Sequence, residues 1–451
     1  MEKKTVMEAY VREAYEKGAF TGAWLYAEKG KIVTKGALGF RDRENTLPIR
    51  EDSVFDIASI TKQFTAAAVM LLRRRGLLDL EDEITRFFPE LPYPGITVRH
   101  LLTHTSGFSD IDEYVTEIAE TEGAIPDSHV ILRVLTENKP ELSYPTGAGC
   151  EYTDTGYQLL AEIIEKVSGA PFETFLQKEV FEPAGLVSTR VYHRRKDHVD
   201  VPNLAQGLVL ERGEYVRPED SGDRGYYIPL DGMNGNTAVH SNILDLYRWD
   251  RVLREGSLLT QEEQTLMYAP ARFDSGEIAH EEGDEDAYGF GWVLLEDETL
   301  GRVACHSGYV PGYTSWLARY LDADAVLIQL CCRDAANVRA AQAFDSGMEA
   351  IVRGMEPEPI LSIEDVALKE PDKTKWDSFC GKYEKGVEDF PLEEVYRKDD
   401  ALYARLTDGE DSWEYRLYPL GENTFGRKGG SIEITFGEDC FIVDDETYKK
   451  L

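Results

Sequence analysis

No stretch of about 18 consecutive apolar residues occurs in this 451-residue chain, so no segment is suited to cross a bilayer as a helix. The opening "MEKKTVMEAYVREAYEKGAF" carries charges where a secretory leader needs an apolar core, and the expected location is the cytoplasm. Cysteine is scarce. The six present, two of them adjacent (Cys331 and Cys332), fit no zinc-binding spacing and read as reduced thiols. Positive charge is short as well, with 49 Lys and Arg against 84 Asp and Glu and a formal charge of -35. Such a surface repels phosphate, which argues against nucleic acids and anionic membranes as partners. Neither Gly-x-Ser-x-Gly nor His-Glu-x-x-His occurs, which removes two common hydrolase designs.

What is present is enough apolar residue, 42%, to bury a large core, in a chain long enough for two or three domains. Two strand-like runs, "AWLYA" and "IVTKGALGF", flank "EKGK", whose Gly30 suits a tight hairpin. Three further runs, "RVACHSG", "TSWLARY" and "AVLIQLCC", are separated by turn signals at Pro311-Gly312 and at Asp322 to Asp324. The five predict one antiparallel sheet, flanked by an N-terminal helix and a helix over Asn337 to Met355. Between Ser59 and Ala269 the pattern is mostly helical, as in "TGYQLLAEIIEKVSG" and "SNILDLYRWDRVLREG", each ending on a glycine. Past a proline-rich break, short alternating runs between Gly, Asn and Asp predict a small antiparallel β-barrel. The expected fold class is α+β: a sheet-and-helix domain over residues 1–356 with an all-helical subdomain, a linker over 357–371, and a C-terminal barrel over 372–451. The acidic loop "HEEGDEDAY" reads as a solvated face, with calcium binding the weaker alternative.

The stretch "FDIASITKQFTAAAVMLLRRRG" carries the only Ser-x-x-Lys of the chain, at Ser59 and Lys62. Positions i and i+3 of a helix share a face, so the amine can reach the hydroxyl. At a helix start the first amides lack intrahelical acceptors, which leaves the Ser59 N–H able to meet a developing oxyanion. Alone, the pair reads rather as a surface lysine beside a capping serine. Downstream, "GCEYTDTGY" places Tyr152 and Asp154 just before a long helix, and "CHSGYVPGY" places His306, Ser307, Gly308 and Tyr309 on a strand. Tyr152 taken singly is also a half-buried core aromatic, and His306 a satisfied strand histidine.

In combination these elements resemble the serine β-lactamase and penicillin-binding-protein superfamily, in the branch of class C β-lactamases, DD-peptidases, D-aminopeptidases and related esterases. The resemblance extends to "TLPIREDSVFDIASITKQF", "ITVRHLLTHTSGF", "YTDTGYQLLAEIIEKVSG" and "YGFGW". It implies a β-lactamase/transpeptidase-like sheet domain, and the C-terminal strands resemble the lipocalin-like barrels appended to some members. It implies Ser59 as the nucleophile of an acyl-enzyme, with Lys62 and Tyr152 sharing proton transfer and His306 in the strand motif. The amides of Ser59 and Tyr309 would form the oxyanion hole, Gly308 would let substrate approach the strand, and the "HTSGF" segment would shape the site.

Two departures from the family pattern carry information. Asp154 stands where an Asn is usual, and His306 where β-lactamases have Lys. A carboxylate cannot donate to a substrate carbonyl, and a site without that lysine is poorer in positive charge for a β-lactam carboxylate. An ionised Asp154 would keep Lys62 charged, which points to Tyr152 as the base, its phenolate stabilised by the ammonium. The expected activity is hydrolysis of a small ester, amide or short peptide, esterase or D-aminopeptidase-like. A DD-peptidase or weak class C-like β-lactamase is the enzymatic alternative, and a ligand-binding module without turnover is the alternative of another class. No metal or organic cofactor is implied, and nothing in the sequence bears on oligomeric state.

Overall fold

The structure, a computed structural model, describes residues 2–451 except 198, 212, 222–224, 282, 284–285, 370, 385–390, 409–410, 428–432, 438 and 444–445. The chain forms two compact units, one of Gly22–Val209 with Val216–Asp334, the other of Met1–Thr21, Leu210–Tyr215 and Ala335–Leu451.

The first unit is built on an antiparallel sheet. Its strands are β1 (Gly22–Glu28), β2 (Lys31–Leu38), β3 (Ala287–Tyr288), β4 (Val293–Asp297), β5 (Gly301–Val310), β6 (Tyr313–Tyr320) and β7 (Ala325–Cys331), in the spatial order β2-β1-β7-β6-β5-β4-β3. The N-terminal hairpin therefore docks on strands from the far end of the unit, with Leu25 opposite Ile328. Among the described residues the sheet has seven strands where five were expected. The extra pair, β3 and β4, comes from "AYGFGWVLLED", where two glycines break the alternation: the chain turns at Gly289, whose N–H donates to Trp292 O at 2.7 Å, so that Tyr288 faces Val293. Among the described residues β4 pairs with β5 only over Gly301–Cys305, leaving the rest of that edge of β5 without a partner strand.

The helix Thr61–Arg74 is buried at every position from Thr61 to Leu72, a pattern that places it inside the core rather than on a surface. Phe64 packs on Trp249 with ring centroids 4.7 Å apart. A second helix, Asp154–Ser168, ends on Gly169 at φ 71° and buries Thr155 to Ile164. A small sheet joins Phe55–Asp56 to Val239–Ser241 and Arg190–Val191, bringing the approach to Ser59 beside the chain that leads to Arg194. The core also holds a charge cluster: Asp250, with its side chain 0% exposed, accepts from Arg319 Nε at 2.8 Å and from Arg254 Nε at 3.1 Å.

In the second unit the helices Lys3–Glu16 and Val338–Val352 lie together, Tyr10 Oη donating to Ala343 O at 2.8 Å and Phe20 meeting Phe344 at 5.0 Å. Among the described residues its eight C-terminal strands run from Gly381–Lys382 to Glu446–Lys449, each paired with the next. They curl into a barrel-like sheet around Leu392, Phe425, Phe436 and Phe441, with Tyr383 bridging Lys450. Among the described residues no helix is long and apolar enough to cross a membrane.

Candidate active site

Ser59 lies in a single 3-10 turn, Ala58–Ile60, just ahead of the helix that begins at Thr61. Asp56 creates this entry: its Oδ1 accepts the Ala58 N–H at 2.9 Å, and Ala58 adopts φ 47°, a left-handed conformation costly to a residue with a Cβ. On the far side of the turn Gly308 of β5 approaches so closely that an added Cβ would stand 2.4 Å from Ile57 O and 3.1 Å from the Ala58 Cβ. Only glycine lets strand and turn meet here.

Lys62 has no exposed surface and three acceptors around its Nζ: Ser59 Oγ at 3.0 Å, Asp154 Oδ1 at 2.6 Å and Asn236 O at 3.4 Å. An ammonium has three N–H groups, so the protonated form is fully satisfied. Burial by itself would lower the Lys62 pKa, but the charge of Asp154 and then of Tyr152 outweighs it and holds the amine above its ordinary value. Asp154 mirrors this. Desolvation pushes its carboxyl up, and Lys62 overrides that and holds it below the usual carboxylate range.

Tyr152 presents its ring to the same ammonium, with Nζ 4.7 Å from the centroid. Among the described residues its buried hydroxyl forms no hydrogen bond of good geometry, although Lys62 and Ser59 lie close enough to ease its ionisation. Burial prevails and raises the pKa above that of a free tyrosine, so the resting group is a phenol, while the Lys62 charge acts in the opposite sense. The ring is packed by His104 and Tyr288, the former 4.5 Å away and the latter 6.0 Å, and the Tyr152 N–H donates to Glu281. Glu281 belongs to the acidic loop, of which residues 282, 284 and 285 lie outside the described residues. His104 of the "HTSGF" segment accepts the Thr153 N–H on Nδ1 at 3.2 Å, and burial, then the Lys62 charge, keep its pKa well below the ordinary value. It therefore positions the segment carrying Tyr152 without titrating.

His306 is buried and turned to its own strand. Nδ1 donates to Ser307 O at 2.6 Å, leaving Nε2 to accept from Tyr288 Oη at 2.8 Å. Burial, reinforced by Lys62, lowers its pKa to about 4, so it is neutral and supplies no cation in place of a lysine. Ser307 and Tyr309 are exposed on the other face of β5. Tyr309 and Ser59 border a cleft of about 180 Å³ that Asp154 and Asn236 also line.

Several residues of this cleft went unnoticed in the sequence. Asp110 accepts the Asp154 N–H at 2.6 Å and the Thr155 N–H at 3.3 Å, capping the helix that bears Asp154. Asp112 lies beside it, and burial, then the charges of Asp110 and Asp154, raise its carboxyl to about 7. Asn236 is 5% exposed, and among the described residues its Oδ1 has no donor. The loop holding it crosses the helix at Gly235, φ 92°, where a Cβ would stand 2.1 Å from Tyr157 O. The acids stand in "SGFSDIDEY", immediately after a segment already singled out, but only the fold turns them toward Ser59.

Residues 7–350 match the family model described as Beta-lactamase. The chain is 31% identical over 429 residues to penicillin-binding protein 4* of Bacillus subtilis (strain 168), covering 94% of this chain and 92% of that protein. It is 28% identical over 342 residues to esterase EstB of Burkholderia gladioli, covering 67% and 82%. The solved D-amino acid amidase of Ochrobactrum anthropi SV3, complexed with D-phenylalanine, is 25% identical, with a TM-score of 0.61 and coverage of 77% of this chain and 96% of that one. With the Beta-lactamase model spanning all of the sheet unit and a relative matched nearly end to end, the chain belongs to the β-lactamase and penicillin-binding-protein family of serine hydrolases.

Proposed function

We propose that this protein hydrolyses a small ester or amide through an acyl-enzyme on Ser59, in the manner of an esterase or D-aminopeptidase. The observation that carries this reading is the Lys62 ammonium shared between Ser59 Oγ and Asp154 in a buried site that opens on a cleft. In the proposed cycle Ser59 Oγ attacks the substrate carbonyl and its proton passes to Tyr152, whose phenolate, a minor form at neutral pH, is favoured by the adjacent ammonium. The amides of Ser59 and Tyr309 receive the oxyanion, and Tyr152 then returns the proton to the leaving group. Water repeats the sequence on the acyl-enzyme. His306 acts through Tyr288 and the packing of Tyr152, as a positioning residue.

The acidic wall of Asp110, Asp112 and Asp154, with the Asn236 Oδ1 still open to a donor, favours a substrate ammonium over a neutral acyl chain. This inclines the reading toward amino-acid amides. The test is mass spectrometry of Ser59 after a fluorophosphonate, beside turnover of p-nitrophenyl esters, D-amino acid amides and nitrocefin. Ser59→Ala should lose both labelling and turnover, and more than about one-hundredth of the activity remaining would exclude Ser59 as nucleophile. Labelling without turnover of any substrate would favour a binding module.

A further inference from the structure

The strand Val239–Ser241 sets His240 directly opposite Asp56, the residue that shapes the Ser59 turn. His240 is 0% exposed. Its Nδ1 lies 3.2 Å from Ala238 O, and since a carbonyl only accepts, Nδ1 carries the proton of the neutral ring. Nε2 is therefore a bare acceptor. Among the described residues it has no hydrogen-bond partner, and the group in front of it, Asp56 Oδ2 at 3.8 Å, is an acceptor too. The other oxygen of that carboxylate, Oδ1, holds the Ala58 N–H at 2.9 Å. The further titratable and charged groups around the ring do not resolve the conflict. Tyr192 meets it edge to face at 5.2 Å, Arg190 across the strand turns its Nε to Ser188 O, and Arg194 and Asp231 act through space. A buried imidazole nitrogen left unpaired beside a carboxylate is costly, and one proton on Nε2 turns the clash into an ion pair.

We propose that His240 is a positioning residue of the Ser59 turn, acting through Asp56 as a proton-operated release. With Nε2 bare, the carboxylate stays committed to the Ala58 N–H, and the left-handed turn that presents Ser59 is held. With Nε2 protonated, closing the 3.8 Å gap to hydrogen-bond length draws the carboxylate about 1 Å toward His240 and off that amide. Ala58 keeps its φ of 47° only while the surrounding contacts offset the strain, so the turn relaxes and Ser59 leaves its place beside Lys62. Burial is the main influence on the imidazole; with Arg194 it outweighs the charge of Asp56 and keeps the pKa below the ordinary histidine value. The engaged form is thus the one present at neutral pH, and release lies on the acid side. Acid then disables the nucleophile through a group that touches no substrate.

This inference rests on the acyl-enzyme reading, and two readouts keep the two apart. The first is the rate at which an uncharged fluorophosphonate labels Ser59, taken at about pH 7.5 and about pH 5. The ratio of these rates should be about tenfold or more larger in the wild type than in His240→Phe, which holds no proton, since a nucleophile displaced by about 1 Å loses far more than that. His240→Gln, whose amide donates at every pH, should label slowly at both and show the small ratio of the Phe variant. Equal ratios in the wild type and His240→Phe would overturn the proposal. The second readout needs no chemistry at Ser59 and no variant that folds: the isotope-labelled Ala58 amide and the His240 ring are followed by NMR over the same range. The Ala58 resonance should move with the His240 titration. An Ala58 resonance that ignores His240 overturns the positioning role whether or not Ser59 reacts, whereas coupled resonances in a protein whose Ser59 never labels support the pair and sink the hydrolase reading.

Discussion

Lys62 Nζ and Asp154 Oδ1 meet at 2.6 Å, and each holds the other in its charged form. Replacing the carboxylate by an amide, in Asp154→Asn, removes the largest influence that raises the Lys62 pKa. The amine should then lose its proton at lower pH and, because the proposed cycle uses its charged form, the alkaline limb of the rate profile should move down with it. The same change should weaken D-amino acid amides relative to neutral p-nitrophenyl esters. Rate-pH profiles on the two substrate types check both effects, and an unmoved limb with an unchanged ratio would place Asp154 outside the chemistry.

Lys62→Ala and Tyr152→Phe should each remove most of the activity. Because ammonium, phenol and Ser59 work on one proton, the double variant should be little slower than the slower single one. Single-turnover rates with one activated ester measure this. Losses that multiply would show that one of the two residues serves only the fold.

Asp112 titrates near neutrality, at about 7, because it is buried beside Asp110 and Asp154. A cationic ligand prefers the ionised carboxyl, so affinity for a D-amino acid amide should rise as pH passes up through about 7 and fall again once the ligand's own α-ammonium, with a pKa of about 8, loses its proton. The direction follows from the raised pKa: below it the free protein carries a neutral Asp112 that must lose a proton on binding. Inhibition by a D-amino acid amide against a neutral ester substrate reads the effect, and Asp112→Asn should abolish the rise.

Asp250→Ala should destabilise the first unit by about 3–5 kcal/mol, because it leaves the buried Arg319 guanidinium without its carboxylate. Arg319 and Asp250 have side chains 1% and 0% exposed, so water cannot compensate. Urea unfolding followed by tryptophan fluorescence reports the loss. A change below about 1 kcal/mol would mean that the remaining groups re-pair within the cluster.

How far the sequence could be read depended on the range of each interaction. The proximity of Ser59 and Lys62 follows from a spacing of three, and the closing glycine of the helix Asp154–Ser168 is a local signal. The hairpin β1–β2 was legible for the same reason. The strands β3 and β4 were not, since Gly289 and Gly291 interrupt a pattern too short to register. Last, the neutral state of Tyr152 arises from burial by segments far apart in sequence, which no window of residues contains.

The contact between Ser315 Oγ and Ile57 O, at 2.8 Å, joins positions 258 residues apart and closes β6 onto the turn that presents Ser59. During synthesis the nucleophile therefore emerges long before the strands that complete its surroundings. A nascent chain that has passed the long helices owns the serine and the lysine but neither β5 nor β6, and β1 waits equally for β7. Contacts of such sequence separation form late and slowly. Reactivity toward a fluorophosphonate is thus a clock for folding: it should appear only after the chain has released β7, and its onset marks the moment at which the sheet closes.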